Sequence, residues 1–545
     1  MKVSKTIIVL LLNCLTIGLY AQKPTELQDE EKTFENNFNA QLSSTNKVNS
    51  KPELPVFEPD ESSKNLSYSM PQHLLKVEYP APLIKPVAML KPAKNETYGL
   101  YTKLGFGFPI TPLAEISLHN TQNDKWSFGA TFRHHSAYSQ KPIENQQFSK
   151  NDAHVMGRYY LNDRLAVGGN LGYSNYSHLL YGYPQPQLSF PDKDSVRQRF
   201  VKIHASADLN NPTNDKSPIS YAFKVMYYNL SDRFKASENH IGADLNLDYK
   251  IAEKYPIKLR VQADNYSYTS EGNTSAKLFV PKGNLNFIYG KDLLRLKVGA
   301  FAGSDNGKLF VCPDVEVAFK FANGQFVPFL GWTGDIVTNS LDLLRQYNPF
   351  INTNIPYANT RQQTRYIGIH GELAKFTFEG KVAHRPNSVL PLFLNDYSGK
   401  GNQFKVKYDS CDMVTIGGTI QWSINDKLKF TALANYHLYN PSTTGQKAWH
   451  LPNLEANTSL EYQALKALKL KAQFNTISGV NYLDEINNTQ TIAPMIDLNL
   501  GATYRINENF STFIDVNNLL NNKNQRFYRY PQLGINFMVG LVYKM

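Results

Sequence analysis

Apolar and polar residues alternate through the last twelve positions of the chain. Ile535, Phe537, Val539, Leu541, Tyr543 and Met545 make one set; Gly534, Asn536, Met538, Gly540, Val542 and Lys544 make the other. A period of two with one apolar face predicts a β-strand. The same pattern holds from Tyr98 onward. Trp126, Phe128, Ala130 and Phe132 alternate with Ser127, Gly129, Thr131 and Arg133. Ile257, Leu259, Val261 and Ala263 alternate with Lys258, Arg260, Gln262 and Asp264, and Leu468, Leu470, Ala472 and Phe474 with Lys469, Lys471, Gln473 and Asn475. These segments are long and alike, and one face is wholly apolar throughout. A β-sandwich would break the pattern with strands of uneven length.

The connections decide between a soluble sheet and a membrane barrel. Short ones fall at Gln122-Asn123-Asp124, Asn162-Asp163, Asn214-Asp215, Glu253-Lys254, Gly290-Lys291-Asp292, Asn323-Gly324, Leu373-Ala374, Asn425-Asp426, Leu465-Lys466 and Asn507-Glu508. Asn, Asp and Gly favour tight turns. Between successive short turns a long connection is expected, as at 139–150, 179–196, 338–363, 385–402, 439–451, 479–494 and 518–531. Short turns below and long loops above are the asymmetry of outer-membrane barrels, periplasmic on one side and extracellular on the other. Ten short turns pair twenty strands, and one more at each end brings the count to about 22. The expected fold is all-β, a transmembrane antiparallel barrel with both ends in the periplasm.

Composition narrows the rest. Aromatics reach 12%, with 33 Tyr and 31 Phe, residues that suit strands and the girdles at membrane interfaces. The formal net charge of +11 is spread without basic runs, so nucleic acid is not an expected partner. Lys2 and Lys5 before the apolar run from Thr6 to Tyr20 read as an export signal over 1–21, cleaved after Ala21. Leu12-Asn13 before Cys14 lacks the small residues of a lipoprotein signal. Residues 22–96, punctuated by Pro24, Pro52, Pro55, Pro59, Pro71, Pro80, Pro82, Pro86 and Pro92, read as a disordered or extended periplasmic linker, and 97–545 as the barrel. Cys312 and Cys411 read as isolated structural thiols.

At Asp515-Val516-Asn517-Asn518-Leu519-Leu520-Asn521-Asn522-Lys523 the chain resembles the closing region of TonB-dependent receptors, and Gly540, Tyr543 and Met545 resemble the terminal signal read by the barrel-assembly machinery. It departs by ending in Met where Phe is usual and by Met538 where a polar residue is usual. Arg345-Gln346-Tyr347-Asn348-Pro349-Phe350 with Leu390-Pro391-Leu392-Phe393-Leu394-Asn395-Asp396 is similar to plug-less TonB-receptor-like barrels of the Bacteroidetes. The resemblance spans roughly residues 70 to 545. TonB-dependent receptors carry a folded plug of well over a hundred residues, and the resemblance departs from them there. The segment 22–96 is too short and too rich in proline to be one, so energised uptake does not follow.

Candidate chemistry is sparse. His134 and His135 are neighbours on a strand and face opposite sides, which prevents both from reaching one metal ion. His178, His384 and His450 sit near long connections without a nucleophile signature. No catalytic residue, metal or cofactor is expected. Aromatic loop motifs at Tyr181-Gly182-Tyr183-Pro184, Tyr347-Asn348-Pro349-Phe350 and Phe527-Tyr528-Arg529-Tyr530-Pro531 read either as surfaces for sugars or a partner, or as loops packed on themselves. Inward residues after the short turns are repeatedly basic: Lys258, Arg260, Arg295, Lys297, Lys429, Lys469 and Lys471. They are expected to ring the periplasmic mouth, where a single-sign field attracts an anionic solute or the acidic start of the mature chain, Glu26, Asp29, Glu30, Glu31 and Glu35. Two functions are expected: a passive or partner-gated solute pore, or a non-transporting barrel subunit that scaffolds a periplasmic or cell-surface partner protein. Outer-membrane lipid and the barrel-assembly machinery are the other partners.

Overall fold

The computed structural model describes residues 98–545 except 121–124, 140–142, 163, 184–191, 212–216, 253 and 273. The export signal, the Pro-rich linker and its acidic start lie outside the described residues. Twenty-two strands build the wall. They are β1 (Leu100–Phe108), β2 (Leu113–Asn120), β3 (Trp126–Ser139), β4 (Gln146–Asn162), β5 (Leu165–Leu179), β6 (Arg197–Asn210), β7 (Ile219–Asp232), β8 (Ser237–Ile251), β9 (Tyr255–Thr269), β10 (Ser275–Lys291) and β11 (Leu294–Asp305). Then follow β12 (Lys308–Pro313, resumed as Val315–Phe319), β13 (Val327–Thr338), β14 (Asn359–Leu373), β15 (Phe376–Asn395), β16 (Phe404–Asn425), β17 (Leu428–Pro441), β18 (Leu454–Gln463), β19 (Leu468–Ser478), β20 (Met495–Arg505), β21 (Phe510–Asn517) and β22 (Asn536–Lys544).

Each strand pairs antiparallel with its sequence neighbours, and β22 closes the sheet on β1 in a register that sets Gly540 opposite Gly105 and Tyr543 opposite Thr102. The Leu100 N–H donates to the Met545 carbonyl at 2.9 Å, and the Met545 N–H returns the bond to Leu100 at 2.9 Å. The two small residues at the seam have a steric cause. The Phe513 ring lies across them, and a Cβ at Gly540 would come within 2.5 Å of it. The outward set, including Val155, Leu171, Ile367, Val539 and Leu541, is exposed all round the wall. So much contiguous apolar surface is untenable in water, and a closed sheet leaves no edge unpaired in lipid. The barrel therefore belongs in an outer membrane. Charge on the outward face at mid-depth costs about 2–4 kcal/mol. Val261→Arg on β9 is expected to impair assembly and Gln262→Arg, one residue on and inward, to be tolerated. Heat-modifiable migration on a gel reads out both.

Six of the sequence-predicted turns, at 290–292, 323–324, 373–374, 425–426, 465–466 and 507–508, lie wholly within the described residues, and all six join strands at the lower end, with the C-terminus; the other four fall wholly or partly outside the described residues. The upper end departs from expectation in two ways. Connections 109–112, 233–236, 270–274 and 306–307 are short there too. The last is the Asn306-Gly307 pair, at φ 50° and 79°, the geometry of a tight hairpin turn. Three of them lie side by side along β7–β12, where the long connection 339–358 folds against the wall: Ser270 and Thr274 donate to Asn354 at 3.0 and 2.9 Å. Longer loops there would occupy the same space. The stretch 385–402 is also mostly wall, since β15 runs on to Asn395 across a bulge between Asn387 and Leu390; only 396–403 connects.

Candidate functional site

The long upper connections fold inward and meet. Connection 339–358 opens with the short helix α1 (Leu341–Tyr347), started by Ser340, whose hydroxyl accepts from the Leu343 N–H at 3.2 Å. Glu238 on β8 is fully buried. Its carboxylate accepts from the Leu341 and Asp342 N–H groups and from the Tyr357 hydroxyl, and from the Tyr228 hydroxyl at 2.7 Å. A buried carboxylate with no cation beside it is stable only with this many donors. Asp342 pairs with Lys202 on β6 at 2.6 Å and with Arg345. Burial raises the Asp342 pKa, but the Arg345 and Lys202 cations outweigh it and hold the carboxyl below its usual range. Further along, Thr353 donates to Asp232 at 2.7 Å and Tyr408 donates to the Pro356 carbonyl at 2.8 Å. Glu238→Ala would strand two backbone N–H groups and two phenols, each at about 1–3 kcal/mol if left unpaired. Amide hydrogen exchange over 339–358 is expected to quicken in that variant while the wall stays protected.

Over this frame lies an apolar core. Leu341, Leu344, Ile351, Ile355, Phe393, Phe404, Trp449, Phe527 and Tyr530 are among its buried members. Tyr530 is its hub. Its ring stacks on Phe350 with centroids 3.6 Å apart and meets Tyr181 edge-on at 4.9 Å; its hydroxyl donates to the Asn402 carbonyl. Asn402 in turn donates to Leu180 at 3.0 Å, and Tyr181 donates to the Pro531 carbonyl at 3.0 Å. Residues 180–183 and connections 339–358, 396–403 and 518–535, which leave the wall at four places around it, thus converge on one ring. Gly182 makes room: a Cβ there would lie 2.4 Å from the Tyr530 ring. Polar ties extend the cap. Arg526 reaches Glu455 on β18 at 3.2 Å and the Tyr347 hydroxyl at 3.0 Å, and Tyr347 donates to the His450 carbonyl at 3.0 Å.

The three aromatic loop motifs are therefore brought together and packed on one another. His178 and His450 are both buried beside the same aromatic cluster, His178 edge-on to Phe350 at 5.2 Å and His450 edge-on to Phe404 at 4.8 Å, whereas His384 is half-buried on β15, 3.9 Å from Asp412. His134 bonds Asn151 at 2.7 Å and Ser136 at 3.1 Å. Among the described residues no group of three or more His, Cys, Asp or Glu is placed to hold a metal. Cys312 and Cys411 are free and buried.

The basic residues stand near the lower end in two arcs, Lys258, Arg260, Arg295 and Lys297 on β9 and β11, and Lys429, Lys469 and Lys471 on β17 and β19. Most meet carboxylates: Lys258 with Asp248 at 3.0 Å, Arg260 with Asp244 at 2.7 Å, Lys297 with Asp314 at 2.6 Å and Lys469 with Glu461 at 2.8 Å. Glu461 also stands directly across from Lys429 and Lys471. Each pair offsets the local field. Gly540 lies in the closing seam, and Tyr543 packs on Phe510 at 4.8 Å.

No family model and no curated protein matches the sequence. Solved structures do match. The iron transporter FrpB from Neisseria meningitidis aligns with TM-score 0.64 at 9% identity, over 83% of this chain and 82% of that one. The siderophore receptor PiuA from Acinetobacter baumannii aligns with TM-score 0.61 at 10% identity, over 82% of each chain. The siderophore receptor PirA from Pseudomonas aeruginosa gives 0.57 at 13%, over 83% of this chain and 81% of that one. The fold is that of the TonB-dependent siderophore receptors. At these identities the likeness is one of fold, and the inward cap is described from this chain's own residues.

Proposed function

We propose that this chain is a gated outer-membrane channel: a TonB-dependent receptor-like barrel that works without a plug domain and is closed by its own connections. One observation carries the reading, the convergence of four connections on Tyr530 over a buried apolar core. A 22-strand wall encloses a lumen wider than its side chains can fill; the cap supplies packed matter at the upper end, and the α1 segment fixes it to the wall. A gate of this kind favours a solute that arrives with a signal over a standing leak. Planar-bilayer recording from the purified full chain is the test. Long closed periods with full-size openings are expected. A large steady conductance would make the barrel a passive pore and overturn the gate.

The scaffold reading keeps one feature in its favour. The hairpin of Asn481–Leu483 and Thr489–Thr491 carries Ile486, 76% exposed, near its tip, an apolar group offered to a cell-surface partner. A barrel that never opens and leaves the membrane with a stoichiometric partner protein would favour it.

A further inference from the structure

Below the cap, a cavity of about 780 Å³ opens into the lumen along β2–β8. A cross-strand row runs along it: His154, Gly172, His204, Tyr228, His240 and Tyr266 stand directly opposite one another on β4 through β9, and the middle members His204, Tyr228 and His240 line the cavity. The His154 and His204 rings lie 5.1 Å apart, and His240 stacks on Tyr266 at 4.4 Å. Gly172 is what lets the first two meet, since a Cβ there would fall 2.2 Å from His204 and 2.6 Å from His154. This row is a face rather than a core, because Lys202, Lys224 and Arg158 line the same cavity against the one carboxylate of Asp208.

The partners of these groups are unequal. Arg158 is bonded to Asp208 at 2.5 Å. Lys224 lies across from Asp208 and Asp244, but Arg158 holds the first and Arg260 the second at 2.7 Å. Among the described residues Lys202 pairs with Asp342 of α1, outside the cavity lining, with its ammonium 4.1 Å over the Tyr228 ring. His240 is 4% exposed; one ring nitrogen meets Asp264 at 2.8 Å, and the other, like Nδ1 of His204, is buried without a hydrogen-bond partner. Such nitrogens are costly to leave unmade. The cavity thus offers surplus cations beside unpaired imidazole nitrogens.

We propose that this cavity binds a small multivalent oxyanion bearing a hydroxyl or a residual acidic proton, a polycarboxylate or a phosphate, and that the bound anion releases α1. The anion's oxygens take Lys224 and Lys202 in charge-assisted bonds, and its O–H donates to an imidazole nitrogen that accepts. Lys202 cannot serve Asp342 and the anion equally, so the anion binds more tightly when α1 has left. That differential affinity shifts the gate toward open. The binding step stands on the cavity alone; its consequence rests on the gated-channel reading.

The test titrates detergent-purified full chain with citrate and, separately, with pyrophosphate by calorimetry, and then records conductance with each. Saturable binding is expected for at least one, and which one separates a carboxylate from a phosphate ligand. Lys224→Gln, which leaves α1 and its pins untouched, is expected to weaken that binding about tenfold, the loss of one charge-assisted contact. Lys202→Gln is expected to raise open probability without anion and to remove the response to it. No saturable binding of either anion, or equal binding by Lys224→Gln, overturns the site. Binding with unchanged conductance, in a barrel that Tyr530→Ala does open, overturns the trigger and spares the gate. A barrel that Tyr530→Ala fails to open overturns the gated-channel reading and not the binding step.

Discussion

Tyr530→Ala is expected to turn a mostly closed barrel into a mostly open one. The ring is 3% exposed and joins residues from four connections, so its removal leaves a cavity at the point where they meet. Truncating a large buried aromatic costs about 3–5 kcal/mol, and a loss near 4 kcal/mol shifts the closed-to-open ratio about a thousandfold. The wall does not depend on this side chain: the β21–β22 and β22–β1 ladders are made by backbone groups. Heat-modifiable migration should therefore persist while conductance rises. Tyr530→Phe keeps the stacking on Phe350 and loses the hydroxyl's bonds, chiefly that to Asn402, and it should stay nearly closed. If Tyr530→Ala keeps its barrel and its closed state alike, the cap is not the barrier to flow.

The wall was legible in the sequence because a barrel strand is specified locally. Alternation at Ile257–Asp264 and a turn at Asn425-Asp426 need no distant partner to be read, and the described turns at Gly290-Lys291-Asp292, Asn323-Gly324, Asn425-Asp426 and Asn507-Glu508 fall where their Asn, Asp and Gly residues put them. Upper turns were harder. Asn306-Gly307 is as strong a hairpin signal as any at the lower end, yet a strict alternation of short and long connections leaves no place for it. The bulge after Asn387 hid eleven residues of β15, 385–395, because a register shift breaks the period by which a strand is recognised.

The cap lay beyond such reading for a different reason. Its members are aromatic residues in aperiodic loops, and whether Tyr181, Phe350 and Tyr530 face a ligand or one another depends on where three distant connections travel. Their clustering is a tertiary fact. One local sign did exist: Ser340 followed by Asp342 at the head of Leu341-Asp342-Leu343-Leu344 is a helix start, and it marks α1. Nothing near Glu238, in contrast, foretells that its carboxylate will hold that helix, since the partners lie more than a hundred residues away. The basic residues show the same limit in reverse. Lys258, Arg260, Lys297 and Lys469 were legible as inward cations, but their carboxylates lie on neighbouring strands and only the register pairs them.

Acidification on the outer side is expected to open the channel between pH 6.5 and pH 4, through His450. This ring is fully buried in the cap. Nδ1 donates to the Phe393 carbonyl at 2.6 Å, and Nε2 accepts from the Tyr528 N–H at 3.4 Å, an arrangement open only to the neutral ring. Burial lowers the pKa to about 4, and the nearby Arg526 guanidinium pushes the same way. Around it stand Phe404, Phe527 and Tyr482, with Arg526 tied to Glu455; no carboxylate bonds the ring. With the cap open, the ring is solvated and titrates near 6.5. The closed-state value is thus the lower one, so His450 contributes its full stabilisation above about pH 6.5 and loses it progressively as pH falls toward 4. Between pH 7 and pH 5 the loss is on the order of 2 kcal/mol, about a thirtyfold rise in the open-to-closed ratio. Glu455 and Asp342 keep their ion-pair partners in the closed cap, so a steep response confined to pH 6.5–5 points to an imidazole, and His450→Phe separates His450 from His178, the other ring buried against the cap. His450→Phe retains the ring packing on Phe404 and has no proton to take up. Its conductance should be nearly flat over that range, though from a higher starting level because the Phe393 carbonyl has lost its donor. If the parent chain is flat too, protonation of His450 does not loosen the cap; if the variant keeps the full response, another group carries it.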